Sequence, residues 1–247
     1  MARPAPDRDV APTVQRLRLR YAKRGRLRFS SHRDFQRAFE RALRRADVPM
    51  AYSAGFNPHP KVSYANAAPT GVASEAEYVE IGVAARCDPG KIRAALDEAL
   101  PPGLDVVDVV EARTPDFAQR LEASVWQVEL PGVPLDEARG AVGRFLVEEE
   151  ILVERLTKNG IRSFDARAAV ISLDCAPGDG PNPDCAILRV VVRHGTPSVR
   201  PDDVISALRR VADLVPPKPP RVTRLAQGPL DEAGTSVADP LAPDRAG

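Results

Sequence analysis

Near the N-terminus the hydrophobic period of the chain changes once, and that change restricts the fold more than any other feature. From Val14 to Tyr21 the chain alternates, with Val14, Arg16, Arg18 and Arg20 on one parity and Leu17, Leu19 and Tyr21 on the other. This pattern predicts a half-buried strand with a basic outer face. From Ser31 the period becomes helical. Phe35, Ala38, Phe39, Ala42, Leu43 and Ala46 form an apolar face, while Arg33, Arg37, Arg41, Arg44 and Arg45 fall largely on another. Ser31 with Asp34 reads as a capping box at the helix start, and Pro49 as its stop.

A Pro/Gly-rich loop leads to a short strand near Val62–Ala65 and a turn through Pro69 and Gly71. Glu77–Val83 alternates again, Asp88-Pro89 opens a second helix running to Leu100, and Leu104–Val110 reads as a strand. The order β-α-β-β-α-β is that of the split βαβ, or ferredoxin-like, module. The second half repeats the order without repeating the residues. It has strands at Val125–Leu130, Ile151–Leu156, Ala186–Arg193 and Arg221–Leu225, and helices at Leu135–Leu146 and Pro201–Val211. Thr157–Cys175 reads as an insertion. The expected fold class is α+β, with two tandem ferredoxin-like modules at 14–113 and 114–227 between disordered tails at 1–13 and 228–247.

The chain of 247 residues is nearly neutral, at +1, but its charge is unevenly placed. Between Val14 and Lys61 thirteen basic residues face only Asp34, Glu40 and Asp47, so this stretch carries +10. Such asymmetry points to a polyanionic partner. Arginine outnumbers lysine 30 to 5, as a GC-rich coding sequence would produce, so the clustering rather than the abundance is informative. Cys87, Cys175 and Cys185 are far apart and make neither a zinc ribbon nor a cluster-binding loop. A sparse, odd cysteine count, no span-length apolar run and no secretion signal lead to an expectation of a cytoplasmic protein.

Two segments could carry chemistry. Where the basic strand enters the basic helix, Ser31, His32 and Arg33 surround a helix N-terminus whose free N–H groups suit a phosphate. The plainer alternative is that Ser31 and Asp34 only cap the helix and His32 is solvated. The second segment is Tyr52–Lys61, where His59 lies between Pro58 and Pro60. Flanking prolines stiffen this loop, so Asn57, His59 and Lys61 can be presented at low entropic cost. Tyr52 and Phe56 among them suit stacking on unpaired bases. The alternative is an ordinary connector with Phe56 in the core. Module topology places His32 beside the turn Ala67–Glu75 and away from His59. Glu75, Glu77 and Glu80 invite comparison with a metal site, but read better as a solvated strand face, so neither metal nor cofactor is expected. His194 beside Arg193 reads as a surface residue.

The run FSSHRDFQRAFERALRRADVPMAYSAGFNPHPKVSYANAAPTGVASEAEYVEI resembles the signature of an uncharacterised radical-SAM-linked protein family. The matching positions include Ser31, His32, Asp34, Tyr52, Ser53, Gly55, Phe56, Asn57, Pro58, His59, Pro60, Lys61, Gly71, Ser74, Glu75 and Glu77. The resemblance covers about residues 14–226. It implies a domain of unknown function, here in the free-standing form, so that radical chemistry would belong to a partner. It also implies an RNA context, because free-standing members lie near genes for ribonuclease E/G-type enzymes and ribosomal proteins.

The leading expectation is therefore an RNA-binding accessory module for a radical SAM or ribonuclease partner. Its contacts would come from Ser31, His32, Arg33, Arg37, Arg41, Tyr52, Phe56, Asn57, His59 and Lys61. One alternative is a metal-independent RNA-cleaving or RNA-modifying enzyme with His32 or His59 as the catalytic candidate. Another is a protein–protein scaffold, including a homodimer formed by charge complementarity.

Overall fold

The computed structural model describes residues 11–54, 56–158, 160–178 and 185–245. Residues 1–10 of the expected N-terminal tail and Gly55 of the expected loop lie outside them. The chain divides into two compact units. One runs to Ala118 and resumes at Leu241, and the other spans Gln119–Pro240.

The first unit contains β1 (Gln15–Lys23), α1 (His32–Arg45), β2 (Val62–Ala65), β3 (Ala73–Val83), α2 (Pro89–Ala99) and β4 (Leu104–Glu111). Its strands pair antiparallel in the order β4-β1-β3-β2. Leu17 lies opposite Ile81 and Leu19 opposite Val79, so the apolar parities of β1 and β3 share one face. That face packs on Phe35, Phe39 and Leu43 of α1 and on Ile92 and Leu96 of α2. The Phe35 ring stacks on Tyr21 with centroids 4.2 Å apart, tying the helix to the strand before it. Removing each such side chain from water contributes about 1.5–3 kcal/mol.

Both ends of α1 have identifiable causes. The Ser31 hydroxyl accepts from the Asp34 amide, and the Asp34 carboxylate accepts from the Ser31 amide, completing the capping box. The helix ends at Arg45, ahead of Pro49. Asp47 adopts φ +49° and donates to Arg44 O, while Val48 donates to Leu43 O. This paired arrangement satisfies two carbonyls that the helix leaves free.

The second unit contains β5 (Ala123–Pro131), α3 (Leu135–Val147), β6 (Leu152–Thr157), β7 (Gly160–Asp165), β8 (Val170–Pro177), β9 (Cys185–Arg193), α4 (Pro201–Ala212) and β10 (Arg221–Gly228). Its main sheet is antiparallel in the order β10-β5-β9-β8. The strand expected at Ile151–Leu156 exists, but it pairs with β7 as a separate hairpin. The place beside β9 goes to β8, most of which lies inside the segment read as an insertion. The cause is a register shift between Val170 and Ser172. It puts the buried residues Val170 and Leu173 three positions apart, a spacing that a period of two does not reveal. β6 instead leaves Leu152, Glu154 and Leu156 exposed, and buries only Val153.

The C-terminal segment also differs from expectation. Residues 228–245, read as a disordered tail, contain the bridge Leu230↔Val237 and a short helix, α5 (Ala242–Arg245). Leu241 and Asp244 are buried, which a polar stretch rich in Pro and Gly does not announce.

Candidate nucleic-acid interface

The arginines of the first unit separate into two populations. Arg18, Arg20 and Arg24, with Lys23, are consumed internally, whereas Arg16 and Arg26 stay exposed. Arg18 is 3% exposed, with Nε donating to Glu80 at 2.9 Å and Nη1 to Asp244 at 2.6 Å. Arg20 donates to Glu75 O at 2.8 Å, and the buried Lys23 reaches Ala68 O and Pro69 O. Arg24 grips the Glu75 carboxylate with Nε and Nη2 and donates to Asp105 at 2.7 Å. These carboxylates raise the Arg24 pKa above its ordinary value, and the side-chain hydrogen bond to Glu75 is the largest cause. The expected basic outer face of β1 is thus largely an ion-pair layer, because Glu80 lies directly across from Arg18 in the register. Only Arg16 keeps a mostly exposed side chain there.

The arginines of α1 are different. Arg33, Arg37, Arg41, Arg44 and Arg45 are all exposed, and none has a hydrogen-bonded or ion-paired partner among the described residues. Their spacing of four, four and three along one helix puts Arg33, Arg37, Arg41 and Arg44 in a single stripe about 16 Å long. The nearest acid in the first turn, Asp34, is committed to Ser31, whose hydroxyl donates to Oδ2 at 2.7 Å. That bond and the Ser31 amide, aided by Arg37 and Arg33, hold the Asp34 carboxyl below the usual range. Ser31 therefore acts as a cap in this structure, and the stripe stays positive.

His32 begins the stripe. Its Nε2 lies 3.0 Å from the Gln36 amide nitrogen, and its ring meets Tyr64 of β2 edge-on at 5.0 Å. The turn expected beside it is held through the residue before the Phe29–Ser31 junction, where Gly71 donates to Arg28 O at 2.8 Å. Tyr64 has a buried hydroxyl with no hydrogen-bond partner among the described residues, and burial pushes its pKa up.

The loop after α1 forms a narrow hairpin. Ala51 donates to Gly82 O, Lys61 to Ala51 O and Ser53 to His59 O, while the His59 amide donates to the Ser53 hydroxyl at 3.1 Å. Folding back this way leaves Tyr52 41% and Phe56 52% exposed, so the core reading of Phe56 is excluded. Asn57, His59 and Lys61 are exposed as well, and Lys61 donates to the Thr13 hydroxyl at 2.9 Å. The expected residues thus fall in two sets. Ser31, His32, Arg33, Arg37 and Arg41 lie along α1, while Tyr52, Phe56, Asn57, His59 and Lys61 lie on the hairpin that follows its C-terminal end.

The carboxylates once compared with a metal site are individually committed. Glu75 pairs with Arg24 and Glu80 with Arg18, while the buried Glu77 accepts from the Ala68 amide at 2.9 Å. They are not a solvated strand face. In the second unit His194 is half-buried and bonded on both sides, to Leu121 O at 2.6 Å and to the Ser124 hydroxyl at 2.7 Å. Burial lowers its pKa, against the raising effect of the Leu121 carbonyl. The surface reading of this histidine is corrected, since the residues that enclose it are remote in sequence. No helix among the described residues is long and apolar enough to cross a membrane.

These features define an α+β protein with two antiparallel sheet units and a net-basic helix whose arginines make no ion pair among the described residues. The chain belongs to the DUF2344 family, described as uncharacterised proteins conserved in bacteria, whose model matches residues 16–201. A comparison with curated proteins finds no match. Thirty solved chains match, among them the crystal structure of an unknown protein from Galdieria sulphuraria. That chain is 14% identical, with 85% of this chain and 96% of the other covered at a TM-score of 0.25.

Proposed function

We propose that this chain is an RNA-binding accessory module that works in the cytoplasm beside a radical SAM or RNA-processing partner. The observation that carries the reading is the stripe Arg33, Arg37, Arg41 and Arg44 on α1, exposed and left unpaired while neighbouring arginines are neutralised. Cations held in a row without internal partners suit successive backbone phosphates, and each contact releases a counterion. Tyr52 and Phe56 supply exposed rings on a hydrogen-bonded hairpin, a combination suited to stacking on unpaired bases. The strand orders β4-β1-β3-β2 and β10-β5-β9-β8 support reading both units as ferredoxin-like modules, the second carrying the β6–β7 hairpin as its insertion.

A binding role is favoured over RNA cleavage by the surroundings of His32. Its described contacts are the Gln36 amide and the Tyr64 ring, and neither is the carboxylate or carbonyl that would orient an imidazole as a general base. The test is a salt titration of single-stranded RNA binding with the parent chain and an Arg33→Ala, Arg37→Ala, Arg41→Ala variant. The parent should bind with an affinity that falls as salt rises, and the variant should bind more weakly and with a shallower salt dependence. Equal binding by the two chains would remove α1 from the interface. Absence of binding by the parent at low salt would end the RNA reading.

A further inference from the structure

A cluster in the first unit, separate from α1, has the chemistry of an anion receptor. Asp244 of α5 has a fully covered side chain. Its Oδ1 accepts from the amides of Arg113 and Thr114, each at 3.0 Å, and from the Thr114 hydroxyl at 2.5 Å. Its Oδ2 accepts from Arg18 Nη1 at 2.6 Å. Three donors thus converge on one oxygen while a guanidinium serves the next. Successive backbone N–H groups arranged this way form an anion-binding concavity.

The charged donor, Arg18, is held by groups other than Asp244. Arg18 is fixed through Nε by Glu80 at 2.9 Å and through Nη2 by Thr114 O at 2.5 Å, and its guanidinium lies 4.9 Å from the centre of the Phe117 ring. Arg18 and Thr114 are therefore tied to each other and to Glu80 of β3 without help from Asp244, which belongs to the same unit and fills the place they frame. Burial opposes ionisation of Asp244, yet the Thr114 hydroxyl, Arg18 and the two amides hold its carboxyl well below the ordinary range. Beside the cluster opens a groove of about 500 Å³ lined in part by Arg16, Arg18, Ser63, Glu80, Thr114 and Phe117.

Charge selects the ligand. Arg16 and Arg18 balance Glu80 and Asp244, while the exposed Arg113 and Asp116 at the rim offset each other. With Asp244 withdrawn the group carries one net positive charge, which matches a phosphodiester monoanion better than a phosphate dianion held next to Glu80. We propose that the Arg18–Thr114 cluster is a phosphodiester-binding site, filled by the chain's own Asp244, so that the C-terminal helix is an internal competitor for it. The RNA-binding reading supplies the source of the phosphodiester, whereas the affinity of the site for the anion is independent of it.

The probe is dimethyl phosphate, read by thermal unfolding. The Asp244→Ala chain should melt below the parent in chloride buffer. Millimolar dimethyl phosphate should raise its melting temperature by about 2–4 °C more than that of the parent. An equal shift in the two chains would overturn the site. Asp244→Asn keeps an amide oxygen under the same donors and should respond like the parent; a response as large as that of Asp244→Ala would also overturn it. Should Asp244→Ala fail to fold, amide exchange of Leu241–Arg245 in the parent provides the readout. Dimethyl phosphate should accelerate that exchange, and no change would overturn the proposal. Response to dimethyl phosphate in a chain that binds no RNA keeps the site and removes the RNA reading. RNA binding without that response removes the site alone.

Discussion

Helices α1 and α3 hold the same place in their units. Each follows the second strand in its sheet's order, and each buries a phenylalanine against that sheet, Phe39 in one and Phe145 in the other. Their charges differ. Across fourteen residues α1 has five arginines against Asp34 and Glu40, whereas α3 balances Arg139 and Arg144 with Asp136 and Glu137. α3 also tolerates Gly140 and Gly143, each a helix-weakening residue, on its exposed face. Two helices that meet the same packing demand with such different surfaces show that the arginine stripe is not required by the fold. That contrast is the strongest argument for assigning the stripe a partner.

The largest expected effect concerns what the two helices share. Phe39→Ala and Phe145→Ala should each lower stability by about 3–5 kcal/mol in urea denaturation, since both rings are fully covered. A markedly smaller loss for one would show that its unit is held by something other than this packing. The next effect concerns what they do not share. Neutralising Arg33, Arg37 and Arg41 should reduce the salt-dependence slope of single-stranded RNA binding by about 2. Stability should stay within about 0.5 kcal/mol. Arg139→Ala with Arg144→Ala on α3 should leave binding unchanged, and a matching loss there would dissolve the comparison.

Capping separates the helices by a smaller amount. Ser31→Ala removes the α1 box and should lower stability by about 1 kcal/mol in the same denaturation assay. α3 starts after Pro134 with no side-chain cap to lose. The smallest effect is a pH dependence confined to the second unit. Folding holds the His194 pKa below its ordinary 6.5, mainly by burial. As pH falls through that value the unfolded chain takes up a proton first, so stability should decline from about pH 6.5 down to the folded value. In melting curves across that window, His194→Gln should flatten the decline. An unchanged slope would assign it to another group.

Much of the first unit could be read directly because its cues are local. The parity of Leu17, Leu19 and Tyr21, the Ser31–Asp34 box and the helical spacing of Phe35, Phe39 and Leu43 each act within a few residues. The exposure of Tyr52 and Phe56 was not legible in the same way, because the loop composition left a core position open for Phe56 and only the folded hairpin decides it. The second unit was harder to read. A bulge at Val170–Ser172 hides β8 from a search for alternation, while β6 alternates well enough to be taken for the sheet strand.

By itself, then, the sequence determined the strands and helices of the first unit, which of their faces are apolar, and that positive charge concentrates between Val14 and Lys61. Periodicity, capping and charge are properties of neighbouring residues. Only the tertiary structure decided which of those charges remain available. Arg18 and Arg37 look alike as letters in a basic stretch. One is neutralised by Glu80 and by Asp244, 226 residues further along, and the other faces solvent. Pairing over such separations depends on strand register and chain return, which no local pattern encodes.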